Sequence, residues 1–85
     1  MRHARPDDLE RIGPLLDGLR ALDGLVERTP GSFYRRSKGF LHFHVDGDDW
    51  FCDVKLSGPT FERRRVTTHT EQRRLLAAVR RVLDA

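Results

Sequence analysis

Eighty-five residues make one domain, residues 1–85, and leave no room for a second. A hydrophobic fraction of 38% with seven glycines is that of a globular chain and argues against intrinsic disorder. The sixteen basic residues, of which only Lys38 and Lys55 are lysines, meet thirteen acids, so the net charge of +3 describes a solvated surface before it describes a nucleic-acid partner.

Cys52 is the single cysteine, which excludes an intramolecular disulfide and a four-cysteine metal site and points to a reducing, cytoplasmic compartment. No apolar run is long enough for a signal-peptide core or a membrane span, so no membrane partner is expected. A chain of this size buries only about 60–65% of its unfolded surface, and a homo-oligomer is the expected means of burying more.

The first element is a helix over "RPDDLERIGPLLDGLRALDG". Pro6 suits the first helical position, and Asp7 and Asp8 suit the positive end of the helix dipole. Leu9, Ile12, Leu16 and Leu19 recur at helical spacing, with Leu15 and Leu22 widening the stripe. Gly13-Pro14 interrupts it, predicting a kink or a short first turn, and Gly24 is the expected stop. Thr29-Pro30-Gly31-Ser32 is a turn cluster, Phe33 to Arg36 a short extended stretch, and Ser37-Lys38-Gly39 a reversal.

A β-hairpin follows over "GFLHFHVDGDDWFCDV". Leu41, Phe43 and Val45 share one side with Trp50, Cys52, Val54 and Leu56. A two-residue loop sets His44 opposite Asp49, whereas a four-residue loop sets His42 opposite Asp53 and Val45 opposite Trp50. The longer is preferred because it pairs every apolar side chain with another. "SGPT" makes the next reversal, and Phe61 to Thr67 read as a further strand with Leu56 facing Phe61, Lys55 facing Glu62 and Asp53 facing Arg64.

The last element is the clearest helix, "THTEQRRLLAAVRRVLDA", with Thr68 and Glu71 as a capping box. Leu75, Leu76, Val79, Val82 and Leu83 cover one side of it, and Arg73, Arg74, Arg80 and Arg81 the other. The expectation is a two-layer α+β domain: an N-terminal helix, an antiparallel meander of three to four strands, and a C-terminal helix.

"ALDGLVER", "FYRRSKGF", "DGD" and "VKL", within residues 21–56, are similar in order and spacing to the bacterial MmcQ/YjbR-like proteins. The resemblance implies an α+β fold similar to DNA-binding double-wing domains and brings no established catalytic residues. The chain departs from that family in carrying Phe-Leu-His-Phe-His where a plainer strand is expected, and in ending about where the family continues with a further strand and helix.

Alternation would put Phe33, Arg35, Phe40, His42, His44, Phe51, Asp53 and Lys55 on the sheet face away from the helices. Aromatics beside basic groups on such a face suit a dimer interface first, a stacking platform for single-stranded nucleic acid second, and a small-ligand cleft third. The expected function is therefore a non-enzymatic binding or oligomerisation module acting through that face.

Two alternatives stand beside it. One is nucleic-acid binding, with Arg63, Arg65, Arg73 and Arg74 as phosphate contacts, although alternation turns Arg64 away from Arg63 and Arg65. The other is a metal site on the His42-x-His44 pair with Asp53 or Asp49 adding a carboxylate, while His3 and His69 lie near chain ends. Cys52, on the apolar face, reads as a small hydrophobe. No Ser-His-Asp order, phosphate-cradling glycine loop or paired-acid constellation is present, so no catalytic residue and no cofactor are expected.

Overall fold

Pro14 has no N–H to donate, so one continuous N-terminal helix is unavailable. The chain instead makes α1 (Pro6–Leu9), a 3-10 turn (Glu10–Ile12) and α2 (Gly13–Arg20), with Pro14 confined to the first turn of α2. A two-residue strand, β1 (Arg2–His3), precedes them in this computed structural model, which describes residues 1–85. Asp8 ties the start of α1 together: its carboxylate pairs with Arg2 and accepts the Arg5 backbone N–H at 2.9 Å. Those bonds, Arg2 first, hold its carboxyl down at about 2. Leu9, Ile12, Leu15, Leu16 and Leu19 bury the apolar stripe, and the chain leaves the helix through Gly24, whose φ of +99° suits only glycine well.

Five strands then run as an antiparallel meander in chain order: β2 (Val26–Thr29), β3 (Ser32–Arg35), β4 (Lys38–Asp46), β5 (Asp49–Val54) and β6 (Glu62–Arg65). β4 is the longest, and β1 takes up the part of its edge that β3 leaves, with Arg2 facing Val45 and His3 facing His44. In the β4–β5 hairpin Leu41, Phe43 and Val45 pair with Val54, Cys52 and Trp50, the all-apolar register. Asp46 and Asp49 close the last pair, so Gly47-Asp48 alone turns the corner, with Gly47 at φ +61°.

Two features of the sheet differ from the simple alternation of the sequence. The first is the β5–β6 register: Asp53 faces Arg63 and Val54 faces Glu62, one residue away from the expected Asp53–Arg64 and Lys55–Glu62 pairs. A slip of one residue turns every side chain to the other face. In this register Val66 lies on the Trp50 side and is 0% exposed, with its N–H on the Trp50 carbonyl at 2.8 Å. The expected register would have put Val66 in solvent and Arg63 over the core.

The second is a bulge between β3 and β4. Phe33 pairs with Leu41 but Tyr34 pairs with Gly39, leaving Phe40 as the extra residue. Phe33 and Phe40 are accordingly core residues, 1% and 4% exposed, not members of the outer face. Arg35, two positions along from Phe33, follows it to the helix side, where it lines a depression with Arg81 and Val82. Residues Phe33, Arg35 and Phe40 therefore leave the outer-face set. A phenylalanine has 150 Å² or more of apolar surface to bury (about 150–250 Å² for aromatic side chains), and one extra residue in β4 brings both rings to the core.

α3 (His69–Asp84) starts at the expected box, with the Glu71 N–H on Thr68 Oγ1 and the Glu71 carboxylate on the Thr68 N–H. It packs beside α2 closely enough that a Cβ on Gly18 would come within 2.7 Å of the Leu76 side chain. Both helices cover the same sheet face, and the core lies between them and the Leu41/Phe43/Val45/Trp50/Cys52/Val54 row. No helix is long and apolar enough to cross a membrane.

One polar side chain is built into that core. Gln72 is buried on the inner side of α3, and its Nε2 donates to the Val66 carbonyl at 3.1 Å. Gln72→Leu leaves that carbonyl without a donor and is expected to lower unfolding free energy by about 1–3 kcal/mol. Urea midpoints at constant slope measure it, and coincident curves would mean that the bond adds nothing.

Candidate metal centre on the outer sheet face

With both helices on one side, the opposite face of β4 is open to hold function. Strand alternation puts His42 and His44 there together. The pairing then brings further groups to them from three other strands. β1 sets His3 opposite His44, β5 sets Asp53 opposite His42, and β6 sets Arg63 opposite Asp53. The ring centres of His3 and His44 are 4.4 Å apart, those of His42 and His44 5.0 Å, and those of His3 and His42 5.7 Å. One nitrogen from each ring lies within 4.8 Å of the others.

Asp53 sits beneath this cluster. Its Oδ2 is 3.0 Å from His44 Nε2 and 3.4 Å from His42 Nε2. Arg63 holds the same carboxylate in a two-pronged pair, Nε to Oδ1 at 2.8 Å and a terminal nitrogen to Oδ2 at 3.0 Å. The Phe61 ring meets His42 edge-on at 5.0 Å, and the Lys55 ammonium lies 4.9 Å from the centre of Phe61. Although this face carries no helix, the side chains of His44 and Asp53 are only 12% and 14% exposed, and that of His42 28%.

His44 Nε2 is the one buried side-chain nitrogen or oxygen in the protein that makes no hydrogen bond. Asp53 Oδ2 is near enough at 3.0 Å, but the alignment is not that of a hydrogen bond. A buried polar atom left this way costs about 1–3 kcal/mol. A cation bound by Nε2 and the carboxylate satisfies it, since an N–metal–O angle is bent and the oxygen need not lie on the line of the nitrogen lone pair.

The electrostatics favour ligation. Burial pushes the His42 imidazole below its ordinary value; the Asp53 charge opposes this, and His44 and His3 add to the depression. The Arg63 hydrogen bonds hold the Asp53 carboxyl below its ordinary range against burial, and both histidines of β4 reinforce them. A free lone pair on His42 and an ionised Asp53 are the states a divalent cation requires. A tetrahedral shell with bonds of about 2.0–2.1 Å separates neighbouring ligand atoms by ~3.3 Å. The nitrogens here lie within 4.8 Å of one another, so closing the shell requires the imidazoles to turn about their side-chain torsions.

The other candidates fall elsewhere. His69 opens α3 and lines a separate depression with Pro14 and Gln72. Asp49 is engaged by Arg65 at 2.9 Å. Cys52 lies on the inner face at 0% exposure, and burial drives its thiol far above the ordinary value, so it is an inert part of the core. Phe51 and Lys55 remain half-buried on the outer face. Among the proposed phosphate contacts, Arg63 is committed to Asp53, and Arg65 to Glu71 at 2.8 Å and to Asp49. Arg73, 3.4 Å from Thr70 Oγ1, and Arg74 stand on α3, in the other layer, so the four do not form one strip.

His3 and Arg63 are the site residues that sequence spacing does not deliver. A two-residue strand has no periodicity to detect, and Arg63 reaches Asp53 only through the β5–β6 register. Compared with family models, with curated proteins and with solved structures, the chain matches none of them.

Proposed function

We propose that this protein is a metal-binding module that takes a divalent transition-metal ion on its outer sheet face. His3, His42 and His44 supply the nitrogen ligands and Asp53 the carboxylate. The observation that carries the reading is the buried His44 Nε2, without a hydrogen bond, 3.0 Å from Asp53 Oδ2 and with two further imidazoles beside it. Three imidazoles and one carboxylate are donors that zinc accepts, and four protein ligands close a tetrahedral shell. A closed shell is the pattern of an ion that is bound or stabilises structure, which fits a non-enzymatic role. Arg63 orients the carboxylate from behind, as hydrogen-bonded partners of metal ligands commonly do.

A dimer or nucleic-acid platform on the same face has less to stand on. Phe33 and Phe40 are in the core, so the outer face keeps Phe51, Phe61 and Tyr34, and the Tyr34 ring already carries the Arg28 guanidinium 4.5 Å from its centre. The MmcQ/YjbR resemblance and its DNA-binding implication rest on other residues; the Phe-Leu-His-Phe-His segment is where this chain departs from that family.

The test is direct titration of untagged, metal-stripped protein with zinc, and with cobalt(II) read by its visible spectrum. One ion per chain is expected, with the intense bands of tetrahedral cobalt. Asp53→Asn is expected to weaken binding by about 10–100-fold, and His42→Ala or His44→Ala by at least as much. No stoichiometric uptake of either ion would overturn the proposal.

A further inference from the structure

We propose a second site, on the helix side of the molecule, for the linked phosphates of a small polyphosphate such as pyrophosphate or a nucleoside triphosphate. The turn between β3 and β4, strand β6 and the C-terminal half of α3 meet around a depression of about 710 Å³. Four guanidinium groups from these three parts of the chain line it: Arg35, Arg36, Arg64 and Arg81. Glu62 is the only acidic side chain among them, and Leu56 and Val82 supply an apolar wall. The volume is that of small-molecule sites, about 300–1,000 Å³.

Convergence, not lack of pairing alone, separates this groove from the rest of the surface. Arg2, Arg20, Arg63 and Arg65 have carboxylate partners. Arg5, Arg11, Arg28, Arg73, Arg74 and Arg80 are as unpaired as the groove arginines, but only Arg35, Arg36, Arg64 and Arg81 line this one depression. Arg35 and Arg64 are half-buried as residues, which fixes their stems in the groove wall. Guanidinium forks match phosphate oxygens two at a time, and four of them around one depression exceed what a single carboxylate ligand would neutralise. The negative end of the α3 dipole also lies here, but one or two cations suffice for that purpose.

The turn supplies an independent observation. Arg36 at φ +52° and Ser37 at φ +68° are the only non-glycine residues in the chain with positive φ. Two-residue hairpin turns of this kind are made most readily by Asn-Gly, and side chains with a Cβ are strained in that conformation. A strained arginine is tolerated where its side chain has work to do, and this one sits at the rim of the groove. The site lies in the opposite layer from the histidine cluster and does not depend on it.

The experiment uses the full chain and pyrophosphate, followed by calorimetry and by NMR of the arginine side chains at physiological salt. Saturable one-to-one binding is expected, with shifts confined to Arg35, Arg36, Arg64 and Arg81. The Arg64→Gln/Arg81→Gln variant is expected to lose at least about tenfold in affinity, while Arg73→Gln/Arg74→Gln, on the same helix outside the groove, keeps it. Arg36→Gly separates binding from folding: it is expected to raise the thermal midpoint by relieving the turn and to weaken pyrophosphate several-fold. Equal loss in both double variants, unchanged affinity in Arg36→Gly, or no saturation would overturn the site. So would preferential binding of a single-stranded oligonucleotide with affinity growing with its length, which describes a diffuse basic surface.

Discussion

Saturating zinc is expected to raise the thermal midpoint of the protein by about 10–20 °C and to leave His44→Ala where it stood. A ligand present at a hundred times its dissociation constant stabilises the state it binds by about 2.7 kcal/mol. In a domain of this size each kcal/mol moves the midpoint by about 4–8 °C. His44 is the decisive position because its Nε2 is buried and unbonded, so the ion gains a ligand that no other partner is using. His3 adds a second, local effect. β1 is held to β4 by two residue pairs and by the Ala4 N–H on the Phe43 carbonyl at 3.1 Å, little enough for a strand end to open readily. An ion shared by His3, His42 and His44 staples that segment to the middle of the sheet. Amide exchange of β1 is therefore expected to slow in the presence of zinc, and His3→Ala is expected to abolish that slowing while keeping part of the midpoint shift. An equal rise in wild type and His44→Ala would place the zinc elsewhere and remove the site.

The layers of the fold were legible because they rest on signals that the chain repeats. The leucine stripe of α1–α2, the stripe of α3 and the alternation of the β4–β5 hairpin each offer four or more apolar residues in phase, and the tertiary structure uses all three as they stand. Thr68 and Glu71 marked the α3 start correctly because a capping box is closed within four residues. What alternation does not carry is a change of phase. The bulge at Phe40 adds one residue and moves Phe33, Arg35 and Phe40 to the other face, yet nothing in "SFYRRSKGF" marks where the extra residue falls. The β6 register buries Val66, a single apolar residue just beyond the strand, and exchanges the expected Asp53–Arg64 pair for Asp53–Arg63. β2 was silent because Val26-Glu27-Arg28-Thr29 forms an edge and is mostly exposed. The candidate site was half legible for the same reason. His42, His44 and Asp53 come from the hairpin, whose register was readable, while His3 and Arg63 come from the two pairings that were not.

Phe33→Ala is the substitution expected to damage the fold most. Removing a buried phenylalanine costs about 3–5 kcal/mol, from lost burial and from the cavity left behind. At about 0.05–0.15 kcal/mol per residue, a chain of this length holds about 4–13 kcal/mol in all. The variant is therefore expected to be largely unfolded at 37 °C or to lose most of its urea range. Phe51 is the informative comparison. It is the same residue type on the neighbouring hairpin strand, but half-buried on the outer face beside His44 and Arg65. Phe51→Ala opens no enclosed cavity and is expected to cost about 1 kcal/mol, the ordinary size for a substitution outside the core. The two residues would behave alike if the sheet ran without its bulge, since plain alternation puts both on the same face. The difference between their urea midpoints thus measures whether β4 carries an extra residue at Phe40. Similar midpoints for the two variants would return Phe33 to the outer face and reopen that face as an aromatic platform.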